Sequence, residues 1–192
     1  MHGGVTRGYE VALSFLGSEH QAYFLLETDP FDFVLSSDPA YPLRSNVPLV
    51  PEALIRESFE GHREVLPKVM QKLKNAGLKT YIPGSPPPKK DLKALLGTEQ
   101  QFANVLNEAG LSLESATISP PNMRLKLWRL LQTMLEEVAV KYGALFVPYP
   151  AELMERDGFL LPKFWQNDIS HANDAAGKIF RNQLIALAKE AV

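Results

Sequence analysis

One helix-to-strand transition in the first half of the chain constrains the fold more than any other feature. Apolar residues recur at helical spacing over residues 52–76, and Gly77 can supply a left-handed C-terminal cap. Gly61 and Pro67 interrupt that spacing, so we predict two helical pieces or one kinked helix. The apolar run over residues 78–83 follows at once and predicts a strand. A helix followed directly by a strand is typical of the βαβ unit, and therefore of a parallel sheet.

Three consecutive prolines follow this strand. The sequence after residue 83 reads Gly84-Ser85 and then Pro86–Pro88, and prolines can continue neither a strand ladder nor a helix. The chain must therefore leave the sheet in a stiff, extended form. We expect this segment to shape the wall of a pocket, with Ser85 at the strand tip, or alternatively to stiffen a loop for stability alone.

Further apolar runs predict the other members of an α/β fold. Residues 11–16 and 144–148 have the continuous apolar character of buried strands, and residues 31–35 predict a short strand or an extended segment. Residues 91–106 favour a helix with an interruption at Gly97. The remaining helices are a long one over residues 122–142, with Asn122 as its N-cap, one broad apolar face and Gly143 at its end, a short one over residues 151–156 and a last one from about residue 173.

Composition limits the class of protein. The chain has 192 residues, of which 45% are hydrophobic and 22% charged, so we predict a single domain over residues 1–192, with residues 1–8 as a loose leader. A net charge of -2 gives no general attraction for nucleic acid, and the absence of cysteine excludes disulfides and thiolate metal sites. The sequence lacks a signal-peptide pattern and an apolar run of the ~18 residues that a membrane span needs, so we expect a cytoplasmic protein.

The segment Asp168-Ile169-Ser170-His171 carries the clearest chemical signal. A carboxylate three residues before a histidine can hold the imidazole in one tautomer and stabilise its cation, as the oriented base of a serine hydrolase requires. The aromatic pair Phe164-Trp165 precedes this segment, and either lines a pocket beside the base or packs the loop onto the core.

A second signal lies at the end of the first apolar run. Gly17-Ser18 would bring backbone N–H groups and a short hydroxyl side chain to the carboxyl end of a strand. Ligands bind at that end of the strands in open α/β sheets, so these residues are candidates for a site. Ser14, within the run, is expected to be buried.

The order of these features resembles that of the SGNH (GDSL-type) hydrolases, from about Val11 to the C-terminus. The resemblance implies a three-layer, flavodoxin-like sandwich with a mostly parallel sheet and no cofactor or metal. It also implies that His171 is the general base and Asp168 its orienting carboxylate. Gly17-Ser18 stands where the family has Gly-x-Asn, so Ser18 occupies the position of the oxyanion-hole asparagine.

The sequence departs from the family at the nucleophile. The family's serine lies in a Gly-Asp-Ser block after the first strand, and that tripeptide occurs nowhere in this chain. Either the first strand of the family is missing, or another serine attacks the substrate. Ser18 is the first candidate for that serine, and Ser85 is the next. Gly17, Ser85 and Trp165 are candidates for the oxyanion hole or the pocket.

Two functions follow as expectations. The first is a serine hydrolase acting on small-molecule carboxylic esters, such as short-chain acyl esters or acetylated sugars. The alternative is a noncatalytic SGNH-like domain that binds a ligand or a partner after loss of the nucleophile block. If the first strand of the family is absent, an open sheet edge near residues 11–16 predicts homodimerisation or strand exchange. A phosphate-binding loop is disfavoured, since the prolines after Ser85 lack N–H donors.

Overall fold

The computed structural model describes residues 9–14, 19–60, 65–92, 103, 106, 110, 112 and 116–190. Within them, three strands form one parallel sheet in the order β1-β2-β3. The strands are β1 (Glu10–Ala12), β2 (Lys79–Pro83) and β3 (Leu145–Val147). The predicted α/β class and parallel pairing are therefore confirmed, as are strands within the runs 78–83 and 144–148. Part of the predicted strand at residues 11–16 lies outside the described residues.

β2 is the middle strand of this sheet. Tyr81 is in register with Ala12 of β1 on one side and with Leu145 of β3 on the other. Tyr81 and Ile82 are buried, as expected for a central strand covered on both faces. β1 lies at one edge of the three-stranded sheet that the described residues form.

Of the two alternatives for residues 31–35, the structure contradicts the short strand. Asp32 makes only an isolated bridge to Leu49, while Phe33 and Leu35 are fully buried in a hydrophobic cluster. The apolar run thus marks a buried irregular segment. Asp32 is held there by the ammonium group of Lys126 at 2.6 Å and by the backbone N–H groups of Phe33 and Arg44.

Five α-helices lie within the described residues. They are α1 (Glu19–Ala22), α2 (Glu52–Glu60), α3 (Val65–Asn75), α4 (Pro121–Tyr142) and α5 (Asp174–Glu190). The two-piece interpretation of residues 52–76 is confirmed by α2 and α3. The predicted short helix at residues 151–156 is a single 3₁₀ turn, Ala151–Leu153, and most of the predicted helix at residues 91–106 lies outside the described residues.

α4 is the helix on which the rest of the molecule packs. Leu127 and Leu131 bury one side against Phe33 and Phe59, whereas Leu125 and Trp128 bury another side against a cluster that includes Phe159. The single apolar face predicted for this helix is therefore too narrow a description, because core lies on more than one side.

The predicted C-cap of α4 is confirmed, but its predicted N-cap is wrong. Its N-cap is Pro120, followed by a proline in the first turn, and Asn122 makes no side-chain cap. Proline suits this position because the first helical N–H has no partner within the helix. The predicted cap at Gly143 is confirmed, with φ of 71° in the left-handed region.

None of the helices in the described part of the chain combines the length and the apolar character needed to cross a membrane.

Candidate active site

Asp168 and His171 form a hydrogen-bonded pair on the loop before α5. His171 Nδ1 lies 2.9 Å from Asp168 Oδ2. An ionised carboxylate can only accept a hydrogen bond, so Nδ1 carries the proton and Nε2 is the basic nitrogen. The His171 side chain is 72% exposed, whereas that of Asp168 is 20% exposed. The pair thus consists of an exposed imidazole held by a partly buried carboxylate.

The Asp168 carboxylate is fixed by its own loop. Its Oδ1 atom accepts the backbone N–H groups of Ser170 at 2.9 Å and His171 at 2.7 Å. Burial alone would raise the pKa of Asp168, but these backbone bonds, the bond with the His171 ring and the charge of Lys89 together hold that pKa below its ordinary value. The carboxylate therefore stays ionised opposite the imidazole at neutral pH.

Lys89 secures this loop from beneath. Its side chain is fully buried, and its ammonium group lies 3.3 Å from Asp168 Oδ1. The same ammonium donates to the backbone oxygens of Gln166, at 2.8 Å, and Asp168. A buried ammonium needs such partners, because desolvation without them is costly. Lys89 is therefore a positioning residue for the Asp168–His171 pair.

Arg124 of α4 fixes the segment that carries Lys89. Its guanidinium donates to the carbonyl oxygens of Lys89 at 2.6 Å, Lys90 at 2.9 Å and Ser119 at 3.0 Å. Burial lowers the pKa of Arg124 to about 10, so it remains a cation at neutral pH. α4 is thus connected to Asp168 through Lys89.

A cavity of about 510 Å³ lies beside His171. Ser14, just beyond β1, and Pro83-Gly84-Ser85, at the end of β2, form part of its wall. The cavity is therefore at the carboxyl end of these strands, where open α/β sheets bind ligands. The remainder of the wall consists of Pro86, Tyr149, Ser170, Ala172, Asn173 and the α5 residues Gly177, Phe180, Arg181 and Leu184.

Ser85 is a tightly held part of that wall. Its backbone N–H donates to Gln132 Oε1 at 3.1 Å, and its hydroxyl accepts Gln132 Nε2 at 2.8 Å. Trp128 Nε1 donates to its carbonyl oxygen at 3.1 Å. The Gly84 N–H is also engaged, with the Val147 carbonyl at 2.8 Å. At this strand tip only the Ser85 hydroxyl is left to donate to a substrate.

The structure brings together some of the residues singled out from the sequence. Asp168, His171 and Ser85 meet at or beside the cavity, and Pro86 forms part of its wall. Gly17 and Ser18 lie outside the described residues. Ser14, expected to be buried in a strand, is instead exposed at the cavity because β1 ends two residues earlier.

Trp165 is placed away from the cavity wall. Its indole N–H donates to the Leu160 carbonyl at 2.8 Å, and its ring packs against the hydrophobic cluster that contains Phe159 and Phe164. Of the two alternatives for the aromatic pair, Phe164 and Trp165 pack the loop onto the core.

Sequence reasoning missed Lys89, Tyr149 and Arg181. Lys89 follows three prolines in a polar stretch, and no local signal marks it as buried. Tyr149 comes just after a predicted strand, a position that could have marked it; burial raises its pKa to about 12, so its phenol stays neutral. Arg181 could have been found only by assigning the face of α5 that turns toward the loop.

Within the described ranges, no group of three histidine, aspartate or glutamate side chains converges as a metal site would require. Comparison of the chain with known proteins found no matching family model, no matching curated protein and no matching solved structure.

Proposed function

We propose that the protein is a serine hydrolase of SGNH type, with a flavodoxin-like fold, that acts on carboxylic esters. The observation that carries this proposal is the 2.9 Å bond between His171 Nδ1 and the Asp168 carboxylate beside a cavity with serine hydroxyls on its wall. Nε2 is then the nitrogen left to accept a proton from a nucleophile.

The reaction divides into two steps. In the first, a serine oxygen attacks the ester carbonyl carbon as Nε2 takes the hydroxyl proton, and the resulting imidazolium returns that proton to the departing alcohol. In the second, a water molecule attacks the acyl-serine ester with His171 again as base, which releases the acid and restores the serine. The Asp168 carboxylate stabilises the imidazolium in both steps. No cofactor is required.

Ser18 is the proposed nucleophile, because it follows the apolar run whose strand ends at this side of the sheet. Ser14 is the described serine best placed to replace it, since it is exposed and lines the cavity. Ser85 also lines the cavity, but it is 5% exposed and its oxygen already accepts Gln132 Nε2. Its reach toward a substrate is therefore restricted.

One observation favours the noncatalytic alternative. Among the described residues, the serine hydroxyl at hydrogen-bond distance from the His171 ring is that of Ser170, 3.2 Å from Nδ1. That nitrogen already donates to Asp168, so the contact does not activate Ser170 as a nucleophile. A domain that only binds an ester-like or other small ligand needs no serine hydroxyl at Nε2.

Fluorophosphonate labelling followed by mass spectrometry tests the proposal, together with p-nitrophenyl acetate hydrolysis. We expect an adduct at Ser18 that is lost in Ser18→Ala and in His171→Ala. Asp168→Asn should lower turnover by on the order of 10⁴-fold, because the orienting carboxylate fixes the tautomer of the base.

Ser58→Ala is the matched control, because Ser58 lies on α2 and bonds its own helix at the Leu54 carbonyl. An adduct at Ser14 or Ser85 would keep the reaction class and move the nucleophile. No adduct, with equal hydrolysis by wild type and His171→Ala, would leave the noncatalytic alternative.

A further inference from the structure

Arg181 lies in the middle of the α5 face that closes the cavity. Gly177, Phe180, Arg181 and Leu184 follow the spacing of one helical face, and all four line the cavity. Arg181 is thereby placed on the same cavity wall as His171. Its guanidinium carries a permanent positive charge.

No acidic side chain of the described residues lines this cavity. Tyr149, which does line it, keeps its phenol neutral because burial raises its pKa to about 12. Asp168 lies behind His171 and is already engaged by Lys89 and the His171 ring. The charge that Arg181 brings to the cavity therefore has no carboxylate on the described wall to neutralise it.

Three of the described arginines form ion pairs, and Arg124 is engaged by backbone carbonyl oxygens. Arg44 contacts Glu27, Arg56 contacts Glu52 and Glu137, and Arg129 contacts Asp38. Arg181 forms no ion pair with any residue in the described part of the chain. An unpaired guanidinium fork at a cavity matches the geometry of a carboxylate, which it can bind through two parallel hydrogen bonds.

The rest of the wall indicates what the carboxylate is attached to. Phe180, Leu184, Pro83 and Pro86 give the cavity an apolar lining, and Phe180 is packed edge-on against Tyr149 with ring centroids 5.2 Å apart. A volume of about 510 Å³ suits a small organic molecule. The cavity therefore fits a ligand with an apolar body and an anionic end.

We propose that the site takes esters that also carry a carboxylate, and that Arg181 is the specificity-determining residue that binds it. This inference rests on the proposed function for the ester, while the binding of the carboxylate by Arg181 does not require catalysis. Arg181 is exposed, so water screens its charge, and we expect a charge-assisted pair of hydrogen bonds to favour the anion by about tenfold over a neutral analogue of the same shape.

Calorimetric titration with N-acetylglycine and its neutral analogue N-acetylglycinamide tests the binding step without an ester. We expect wild type to bind the acid about tenfold more tightly than the amide, and Arg181→Gln to bring the two affinities together. Lys178→Gln is the matched control, because it removes one positive charge from the same helix. Lys178 does not line the cavity. The variant should keep the preference.

Three results would overturn the inference. They are no binding of either compound, the same preference for the acid in wild type and Arg181→Gln, or the same loss of that preference in Lys178→Gln.

A second comparison uses hydrolysis of mono-p-nitrophenyl glutarate and p-nitrophenyl butyrate. A preference for the acid in binding, with neither ester hydrolysed, would refute the proposed esterase and keep Arg181 as a carboxylate-binding residue. Hydrolysis of both esters at rates unaffected by Arg181→Gln would support the proposed esterase and refute Arg181 as a specificity-determining residue.

Discussion

Replacement of Lys89 by methionine removes the buried ammonium that holds the Asp168 loop and keeps a side chain of similar length. The ammonium gives up its bonds to the Gln166 and Asp168 carbonyl oxygens and its contact with Asp168 Oδ1. Removing one partner of a buried ion pair costs ~3–5 kcal/mol. We expect the lower end, about 3 kcal/mol, because Asp168 is 20% exposed and water can replace part of the lost contact.

Urea unfolding at pH 7, followed by circular dichroism, measures this loss. Domains of this kind have ~5–15 kcal/mol of stability, so Lys89→Met should still fold. Lys90→Met is the matched control, because Lys90 is adjacent in sequence but exposed, and pairs with the exposed Asp157. Its unfolding midpoint should stay near that of wild type. Equal midpoints for the two variants would refute the reasoning, since the cost of burying the ammonium would then cancel its contacts.

The same variant makes a prediction about pH. The pKa of Asp168 is lowered in the folded state, so its stabilising contribution is present above the ordinary carboxyl pKa of about 3.9 and is lost as the pH falls through the lowered value. Lys89 is one cause of that lowering. The stability gap between wild type and Lys89→Met should therefore narrow below about pH 4. A gap that stays constant from pH 6 to pH 2 would contradict the pairing of Lys89 with an ionised Asp168.

Two further predictions concern the strand tip and the sheet edge. In Gly84→Ala the new Cβ would lie 2.6 Å from Gln132 Oε1 and 3.2 Å from the Tyr149 nitrogen, so we expect a loss of ~1–3 kcal/mol in urea unfolding as Gln132 is displaced from Ser85. Gly177→Ala, where nothing lies within 4 Å of the new atom, should instead gain ~0.5–1 kcal/mol, and equal effects would contradict this account. Because β1 lies at a sheet edge, we also expect a homodimer by sedimentation equilibrium; a monomer at high concentration would count against it.

Local patterns were sufficient for the α/β class and for the contact between Asp168 and His171. The strand at residues 79–83, the two helices before it and the cap at Gly143 all depend on the periodicity and conformation of neighbouring residues. The Asp168–His171 contact joins two residues that lie three positions apart on one loop. Features of this kind join residues that are close in sequence, so they can be recognised from the segment itself.

Burial and convergence were decided by the tertiary structure. The segment 31–35 has the composition of a strand, but its partners for packing are α2 and α4, so it forms a buried irregular segment. The sequence around Lys89 is typical of a solvent-exposed lysine. In the structure, the buried Arg124 guanidinium donates to the Lys89 carbonyl oxygen, and the Lys89 ammonium donates to the Asp168 carbonyl oxygen. The sequence by itself predicted the contact between the Asp168 carboxylate and the His171 ring. The tertiary structure decided where Lys89 and Arg181 lie, because the contact of Lys89 with Asp168 and the cavity that Arg181 lines together with the end of β2 join residues far apart along the chain.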